Sequence, residues 1–273
     1  MTTLYVIATP IGNLEDISLR ALRLLKEVQL IAAEDTRTTR RLLNTYNIKT
    51  PLTSYHEHNK ATKLGYILDC LREKEVALVS EAGMPGLSDP GYELIVASIE
   101  QGIPVVPVPG ASAIIVASAI SGLSVNQFLY LGFLPRRQGE RRRALGFVAD
   151  DPWTIVIFEA PHRLQATLKD ALIVLGDRRL AVCRELTKIH EEVFRGKVSQ
   201  AIDYFTQPRG EFTLVIEGKG EIHPEINKKI TQELARLHSQ GIGAREAVAQ
   251  LSELSGISKR KLYQAWLMLD RGN

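Results

Sequence analysis

The stretch Val76-Ala-Leu-Val-Ser-Glu-Ala-Gly-Met-Pro-Gly-Leu-Ser-Asp-Pro-Gly91 decides how the chain folds. Its first four residues form a short apolar run that predicts a buried strand. A turn with three glycines and two prolines follows, and a helical pattern starts at Tyr92. We expect Asp89 to cap that helix, with Pro90 in its first turn. A plain connection needs fewer special residues, so we interpret the turn as a ligand-binding loop of an open α/β sheet.

The composition is that of a globular protein, with 273 residues of which 45% are hydrophobic and 24% charged. This length predicts two domains and a small addition. No run is long and apolar enough to span a membrane, and the chain enters its first strand without a signal-like basic start. Cys70 and Cys183 lack metal-ligand spacing, so we expect core thiols in a reducing cytoplasm and no metal site.

The basic residues are clustered, although the formal net charge is only +3. One such cluster is more often a solvated face of the protein. Several clusters beside candidate sites favour an RNA or nucleotide partner. The clusters are Arg37, Arg40 and Arg41; Arg136, Arg137, Arg141, Arg142 and Arg143; and Lys259, Arg260 and Lys261.

Residues 1–122 alternate strand and helix patterns, with strands expected at 4–8, 30–33, 76–79 and 103–107. This order predicts a parallel sheet with helices on both faces. The turn Thr9-Pro-Ile-Gly-Asn13 after the first strand holds neither a GxGxxG pattern nor a P-loop. Pro109-Gly110 opens an apolar helix whose free N–H groups can point at a ligand.

Four polar residues, Glu34-Asp-Thr-Arg37, follow the second strand directly, where open α/β sheets bind ligands. Asp35 or Thr36 can simply cap the next helix, but Glu34 and Arg37 are not needed for a cap, which favours a functional role. His56 and His58 would share one face of a strand, yet a metal would want a third ligand. We therefore expect His56 in a hydrogen-bonding loop near the substrate.

Residues 123–221 carry strand patterns at 128–135, 154–158, 180–184, 192–196 and 211–217, which predict a mixed sheet.

From residue 222 the pattern is helical, with apolar stripes at Ile226, Ile230, Leu234 and Leu237; at Val248, Leu251 and Leu254; and at Leu262, Trp266 and Leu269. A glycine-containing turn before a basic last helix predicts a helix-turn-helix outline. Helical caps of this kind also serve as dimer supports. The predicted domains are thus 1–122, 123–221 and 222–273.

Eight motifs together resemble one protein family. They are Thr9-Pro-Ile-Gly-Asn, Ala33-Glu-Asp-Thr-Arg, Ser80-Glu-Ala-Gly-Met-Pro, Ser88-Asp-Pro-Gly, Pro109-Gly-Ala-Ser-Ala, Gly132-Phe-Leu-Pro, Pro161-His-Arg-Leu and Arg184-Glu-Leu-Thr. The chain resembles the ribosomal RNA small subunit methyltransferase I family, the 2′-O-ribose cytidine methyltransferases of bacterial 16S rRNA within the tetrapyrrole (class III) methylase superfamily. The resemblance implies two α/β domains with S-adenosylmethionine in the cleft between them, a homodimer, and a target cytidine in the decoding region of the small ribosomal subunit.

The resemblance implies the cofactor-binding residues, and the polar and basic clusters described above give the catalytic and RNA-binding candidates. The expected cofactor-binding residues are Pro10, Ile11, Gly12, Ser80, Glu81, Ala82, Ser112, Ala113, Glu159, Leu186, Phe212 and Thr213. For catalysis we expect Glu34, Asp35 and Arg37. For RNA binding we expect Arg40, Arg41, His56, Arg136, Arg137, Arg141, Lys259, Arg260 and Lys261. Glu81 and Met84 depart from the family, which usually has Asp and Thr there, and Met84 offers no hydroxyl for a hydrogen bond.

The chemistry implied by the resemblance needs close positioning, because a methyl group leaves a sulfonium for an in-line oxygen nucleophile. A ribose 2′-hydroxyl is a weak nucleophile and benefits from a base, for which Glu34, Asp35, His56 and Glu159 are the candidates. Reading the 2′-hydroxyl would also select RNA over DNA. The alternatives are a related methyltransferase of a tetrapyrrole or a protein side chain, and a non-catalytic RNA-binding module.

Overall fold

The computed structural model describes residues 2–87, 91–220 and 228–270. The chain forms two compact units, Met1–Gly218 and Lys219–Asn273. The predicted capping of a helix by Asp89 and Pro90 falls outside the described residues. The predicted domain boundary near residue 122 stays a prediction, since both sheets belong to the first unit.

The first unit contains two sheets and the helices that cover them. Its strands are β1 (Leu4–Ile7), β2 (Leu30–Ala33), β3 (Leu52–Ser54), β4 (Val76–Val79), β5 (Val105–Val108), β6 (Phe128–Phe133), β7 (Thr154–Glu159), β8 (Arg179–Arg184), β9 (Glu192–Lys197) and β10 (Phe212–Ile216). Its helices are α1 (Leu19–Glu27), α2 (Thr36–Thr45), α3 (Lys60–Leu71), α4 (Tyr92–Glu100), α5 (Ala113–Ile120), α6 (Gln138–Phe147), α7 (Pro161–Leu175) and α8 (Val198–Tyr204), with a short 3-10 helix at Leu14–Asp16.

The first sheet has the order β3-β2-β4-β1-β5, and all of its strand pairs are parallel, as predicted. Alternate residues of each strand point to opposite faces. On one face Ile7, Ile31 and Val79 pack into a core with α1 and α2. On the other face Leu78 belongs to a core that includes Ile67 of α3. Helices therefore cover both faces, which confirms that expectation.

Two details of this sheet differ from the prediction. The last strand begins at Val105 and contains Pro107, which cannot donate a ladder hydrogen bond. It is tolerated there because β5 is an edge strand. The strand β3 ends at Ser54, so His56 and His58 follow it in a turn and do not share a strand face.

The second sheet is mixed, as predicted, with the order β6-β7-β10-β8-β9. Only the β6–β7 pair is parallel. One face packs against α7 and α8 residues. The other face shares a core with α5, in which Ile114 and Ala117 meet Val156 and Val215. The last helix of the first half thus lies on the second sheet, and this contact joins the two sheets into one body.

The second unit is a small helical bundle with a core of its own. Its described helices are α9 (Lys228–Ser239), α10 (Ala244–Ser255) and α11 (Lys259–Asp270). Leu234, Val248, Leu251, Leu262 and Trp266 are buried together, which confirms these members of the predicted stripes. Ile226 and the side chain of Leu269 lie outside what the structure describes. The inclusion of Leu254 was wrong, because that side chain is 84% exposed.

Candidate active site

Three loops predicted to be functional lie side by side at the carboxyl ends of β1, β4 and β2. The N–H of Thr9 donates to the carbonyl of Gly83 at 2.8 Å, and the N–H of Gly83 donates back to Thr9 at 3.0 Å. The N–H of Glu34 donates to the carbonyl of Val79 at 3.2 Å. The adjacent parallel strands β1, β4 and β2 bring these loops together, although they are far apart in the sequence.

An apolar cavity of about 100 Å³ opens between these loops and the second sheet. Several of the predicted cofactor residues line it, which are Ile11, Ala82, Ser112, Ala113, Leu186 and Thr213. The other lining residues are Gly83, Met84, Leu87, Ile114, Cys183 and Glu211. Burial raises the pKa of the Cys183 thiol to about 11, which keeps it neutral. Mostly apolar walls with a few polar groups are typical of small-molecule sites.

A second, more polar cleft of about 360 Å³ adjoins the apolar cavity. The two share Ile11, Ala82 and Glu211 as lining residues. Predicted site residues that line the polar cleft also include Pro10, Gly12, Ser80, Glu81 and Arg41. Most of the residues predicted to bind a cofactor are thus brought together around two connected compartments.

The carboxylate of Asp35 caps α2. It accepts from the N–H of Arg37 at 2.6 Å and from that of Thr38 at 3.3 Å. These hydrogen bonds lower the pKa of Asp35. This is the capping alternative considered for the sequence, and it makes Asp35 a weak proton acceptor at neutral pH. Glu34 uses its Oε2 to accept from the N–H of Glu81 at 3.1 Å, and Arg37 is exposed.

Residue 12 must be glycine because the loop after β8 passes too close to leave room for a side chain. A Cβ at this position would lie 2.6 Å from Lys188 Cγ and 2.8 Å from the carbonyl oxygen of Leu186. The neighbouring Asn13 N–H donates to Thr187 Oγ1 at 3.0 Å. The first turn of the first sheet is thereby held against the loop that follows β8.

We expect Gly12→Ala to lower the free energy of unfolding by about 1–3 kcal/mol, since the added methyl overlaps a backbone carbonyl that cannot move freely. Urea titration followed by circular dichroism measures the change. The matched control is Gly65→Ala, in α3, where a Cβ meets nothing within 4 Å. That control should gain about 0.5–1 kcal/mol. Equal stability changes in the two variants would contradict the close approach.

Lys188 is a site residue that the sequence did not reveal. Its Nζ lies 2.8 Å from Glu211 Oε2 and 3.0 Å from Glu185 Oε1, and Lys188 and Glu211 both line the polar cleft. Burial alone would lower the pKa of Lys188, but hydrogen bonds from its ammonium to these acids outweigh burial and raise it. The motif Arg184-Glu-Leu-Thr ends one residue before Lys188, which was the available signal.

Glu159 and Phe212 lie on the face of the second sheet away from the apolar cavity. Glu159 is 1% exposed, accepts from Thr167 Oγ1 and from the N–H of Ala160, and pairs with Arg163 at 3.2 Å. Phe212 belongs to the core beneath α7 and α8, whereas the next residue, Thr213, lines the cavity. The side chains of Glu159 and Phe212 therefore do not line the apolar cavity, and Glu159 is poorly placed as a base.

Arg141 is placed differently from the prediction of an RNA contact. Its guanidinium is 5% exposed and pairs with Asp170 at 2.6 Å. It also donates to the carbonyl of Arg136 at 3.1 Å. The side chain is therefore committed to the core and is not free for a phosphate. Arg136 and Arg137 are exposed at the start of α6.

The remaining predicted RNA residues of the first unit lie near the same edge of the first sheet. Arg40 and Arg41 are exposed on α2, and Arg41 lines the polar cleft. His56 is half-buried after β3, and its Nδ1 is buried without a hydrogen-bond partner among the described residues. Its ring meets that of His58 edge to face, with centroids 6.1 Å apart.

Lys259, Arg260 and Lys261 are exposed in the first turn of α11, in the second unit. Ser258 precedes them as the predicted cap, with its Oγ 3.4 Å from the N–H of Lys261. Among the residues that the structure describes, no helix has the length and apolar character needed to cross a membrane. Within the same ranges, no three His, Cys, Asp or Glu side chains are grouped as a metal ion requires.

Comparison with known proteins agrees with this architecture. A sequence profile of the family described as Tetrapyrrole (Corrin/Porphyrin) Methylases matches residues 3–202. Among solved structures, diphthine synthase superposes with a TM-score of 0.66 at 12% identity, covering 80% of this chain and 90% of that one. Uroporphyrin-III C-methyltransferase from Thermus thermophilus, complexed with S-adenyl homocysteine, gives 0.57 at 21% identity, covering 81% and 98%. These structures share the fold of the first unit's sheets and helices.

Curated relatives are closer in sequence. The ribosomal RNA small subunit methyltransferase I of Halalkalibacterium halodurans is 46% identical over 97% of this chain and 94% of its own length. The protein of that name from Bacillus subtilis is 42% identical over 97% and 94%. The one from Thermotoga maritima is 51% identical over 80% of this chain and all of its own length. With both kinds of match covering most of the chain, this protein belongs to the tetrapyrrole methylase family and, within it, to the ribosomal RNA small subunit methyltransferase I family.

Proposed function

We propose that this protein is an S-adenosylmethionine-dependent methyltransferase that methylates the ribose 2′-oxygen of a cytidine in the decoding region of 16S rRNA. The observation that carries the proposal is the pair of adjoining compartments, one apolar and one polar, that share Ile11, Ala82 and Glu211. A methyl donor and an acceptor need this arrangement, because the reacting atoms must meet at a common boundary. Family membership supports the reaction class.

The residues of the apolar compartment fit S-adenosylmethionine, which supplies an electrophilic methyl group on a sulfonium. Ile11, Met84 and Leu186 offer apolar surface for the adenine ring of the cofactor. Ser112 and Thr213 offer hydroxyl groups that can hydrogen-bond to its polar atoms. The thiol of Cys183 stays protonated because burial raises its pKa, so it does not compete for the methyl group. These residues bind and orient the cofactor and exclude water from the boundary.

The polar compartment fits a segment of RNA. Arg41 and Lys188 line it as cations, with Thr38 and Thr45 as hydrogen-bonding groups. Cations at such a surface position a phosphate backbone, and recognition of the 2′-hydroxyl selects RNA. A tetrapyrrole carries carboxylates that would also meet these cations. The exposed basic residues Arg40, Arg136 and Arg137 extend well beyond what a small macrocycle needs, which favours RNA.

The proposed reaction predicts a 2′-O-methyl mark that depends on the target hydroxyl. We expect the purified protein to transfer a labelled methyl group to small ribosomal subunits or to 16S rRNA, and the marked position to resist alkaline cleavage, which needs a free 2′-hydroxyl. Deoxycytidine at that position should abolish incorporation, whereas deoxynucleotide substitution two positions away should not. A label on a base, on a protein or on a tetrapyrrole would contradict the proposal.

The resemblance also carries a homodimer and a cytoplasmic location, which remain part of the proposal. Leu19 and Ile189 are large apolar side chains that are 86% and 97% exposed in the single chain. A subunit interface that covered these two side chains would remove their apolar surface from water. The small ribosomal subunit is the proposed macromolecular partner.

A further inference from the structure

Glu81 is set apart from the other acids near the polar cleft. Its side chain lines the cleft and is exposed, next to Ala82, which lines both compartments. Its carboxylate makes no hydrogen bond or ion pair with any described residue, whereas its N–H is held by Glu34 at 3.1 Å. The backbone is therefore fixed while the carboxylate remains available at the boundary.

The other acidic side chains near the two compartments, and the buried Glu159, are engaged elsewhere. Asp35 caps α2, and Glu159 is buried with Arg163 and Thr167. Glu211 pairs with Lys188 at 2.8 Å. Glu34 accepts from the N–H of Glu81, so proton uptake there would weaken the contact that holds the loop. A carboxylate without a hydrogen bond or ion pair takes a proton without giving up such a contact.

The surroundings of Glu81 suit a proton acceptor. Partial removal of the carboxylate from water, followed by the charges of Asp35, Glu34 and Glu211, raises the pKa of Glu81, and Lys188 opposes them. These neighbours come from the β2–α2 turn, the residue before β10 and the loop after β8, and Arg41 of α2 faces the same cleft. A general base works best when its pKa lies nearer the working pH.

We propose that Glu81 is the general base of the reaction, an inference that rests on the proposed function. The ribose 2′-oxygen forms a bond to the methyl carbon as the carbon–sulfur bond breaks, and the electron pair of that bond stays on sulfur. The hydroxyl proton passes to the Glu81 carboxylate and then to water. Lys188, held between Glu185 and Glu211, places a positive charge in the cleft that opposes the rise in the pKa of Glu81.

The test compares Glu81→Gln with Glu81→Asp, which is the residue usual in the family. Glu81→Gln should lower the single-turnover rate of methyl transfer by at least about 10²-fold, because general-base catalysis contributes that much. Glu81→Asp should recover most of the rate, and Glu73→Gln, at the opposite end of the sheet, should match wild type. Calorimetric affinity for S-adenosylmethionine should change less than about twofold in all three, since such a change is only about 0.4 kcal/mol.

The dependence of the rate on pH distinguishes a base from a positioning residue. A base must be ionised, so the wild-type rate should fall as pH drops through the raised pKa of Glu81, and this limb should be absent in Glu81→Gln. A wild-type rate in Glu81→Gln, or a loss of cofactor affinity equal to the loss of rate, overturns the assignment. A wild-type protein that transfers no methyl group to rRNA instead overturns the proposed function itself.

Discussion

Replacing Asp170 by Asn lowers the free energy of unfolding of this protein by about 3–5 kcal/mol, the expected cost of leaving a buried charge without its partner. Asp170 is 1% exposed in α7 and holds the guanidinium of Arg141 at 2.6 Å. Arg142 donates to its second oxygen at 2.7 Å, and Gln138 lies at 3.4 Å. Asparagine keeps the shape but removes the charge, so Arg141 remains desolvated and uncompensated.

The same carboxylate makes stability depend on pH. Burial by itself would raise the pKa of Asp170, but hydrogen bonds from Arg142 and Arg141 outweigh burial and lower it. A lowered pKa in the folded state means that the contribution is complete above the ordinary value of 3.8 and is lost as pH falls through the folded pKa. Asp170→Asn should remove this part of the acid sensitivity.

Urea titration at neutral pH measures the effect, with Arg143→Ala as the matched control. Arg143 is an exposed arginine of α6, the helix that also contains Arg141. Its removal should change the free energy of unfolding by less than about 0.5 kcal/mol. The double variant Asp170→Leu with Arg141→Met should be more stable than Asp170→Asn, because an apolar pair leaves no buried charge. A wild-type midpoint for Asp170→Asn would show that the pair is solvated and that Arg141 is free after all.

The burial of Arg141 is a feature that the sequence could have predicted. The five arginines in 136–143 were treated as one surface, yet Arg141 stands one helical turn before Leu145, and both are buried in α6. A spacing of four residues places side chains on the same face of a helix. The helical period therefore indicated that Arg141 lies on the buried face of α6. Arg142 and Arg143 follow it around the helix and are partly and fully exposed.

The alternation of side chains along β7 explains why Glu159 does not reach the apolar cavity. Ile155, Ile157 and Glu159 share one face of β7, while Val156 and Phe158 face the core shared with α5. The face on which Glu159 lies was predictable from the sequence, because side chains alternate between the two faces along a strand. The parallel first sheet was predictable from the alternation of strand and helix patterns along the chain, and the mixed second sheet from its series of short strand patterns.

Other features of the site were not predictable from local patterns. The contact of Gly12 with Leu186–Lys188 joins segments separated by more than half of the chain. The ion pairs of Lys188 depend on Glu185 next to it and on Glu211 at the start of another strand. Such pairings follow from how the two sheets pack, which no periodicity within one segment encodes.

Replacing Lys259, Arg260 and Lys261 together by alanine should weaken RNA binding by roughly 10- to 100-fold at low salt without destabilising the protein, since each cation that meets a phosphate releases a counterion. The three side chains are exposed in the first turn of α11. Cations at this end of a helix oppose its dipole, at a cost of about 0.3–1 kcal/mol each, so the variant should be as stable as wild type or more so. A loss of affinity combined with a gain in stability is typical of residues kept for a ligand.

The matched control is Lys229, Arg236 and Arg245 to alanine, which removes the same charge from exposed positions of α9 and α10 in the same unit. Of these, Arg236 already pairs with Glu233 at 2.6 Å. If the effect comes from net charge alone, both triple variants should weaken binding equally. If the first turn of α11 contacts phosphates, only the α11 variant should lower the slope of affinity against salt, by about 2 for three contacts to single-stranded RNA.

The competing account makes the second unit a dimer support, and sedimentation separates it from RNA binding. The profile match ends at residue 202, so Lys219–Asn273 lies outside the part shared across the tetrapyrrole methylases. A truncated protein ending at Gly218 should then stay folded and bind S-adenosylmethionine, because the lining residues of both compartments lie before that point. Its RNA affinity should fall at low salt and approach that of the full chain as salt rises. A monomeric truncation with weakened cofactor binding, together with an α11 variant that binds RNA as wild type does, would assign the second unit to dimerisation instead.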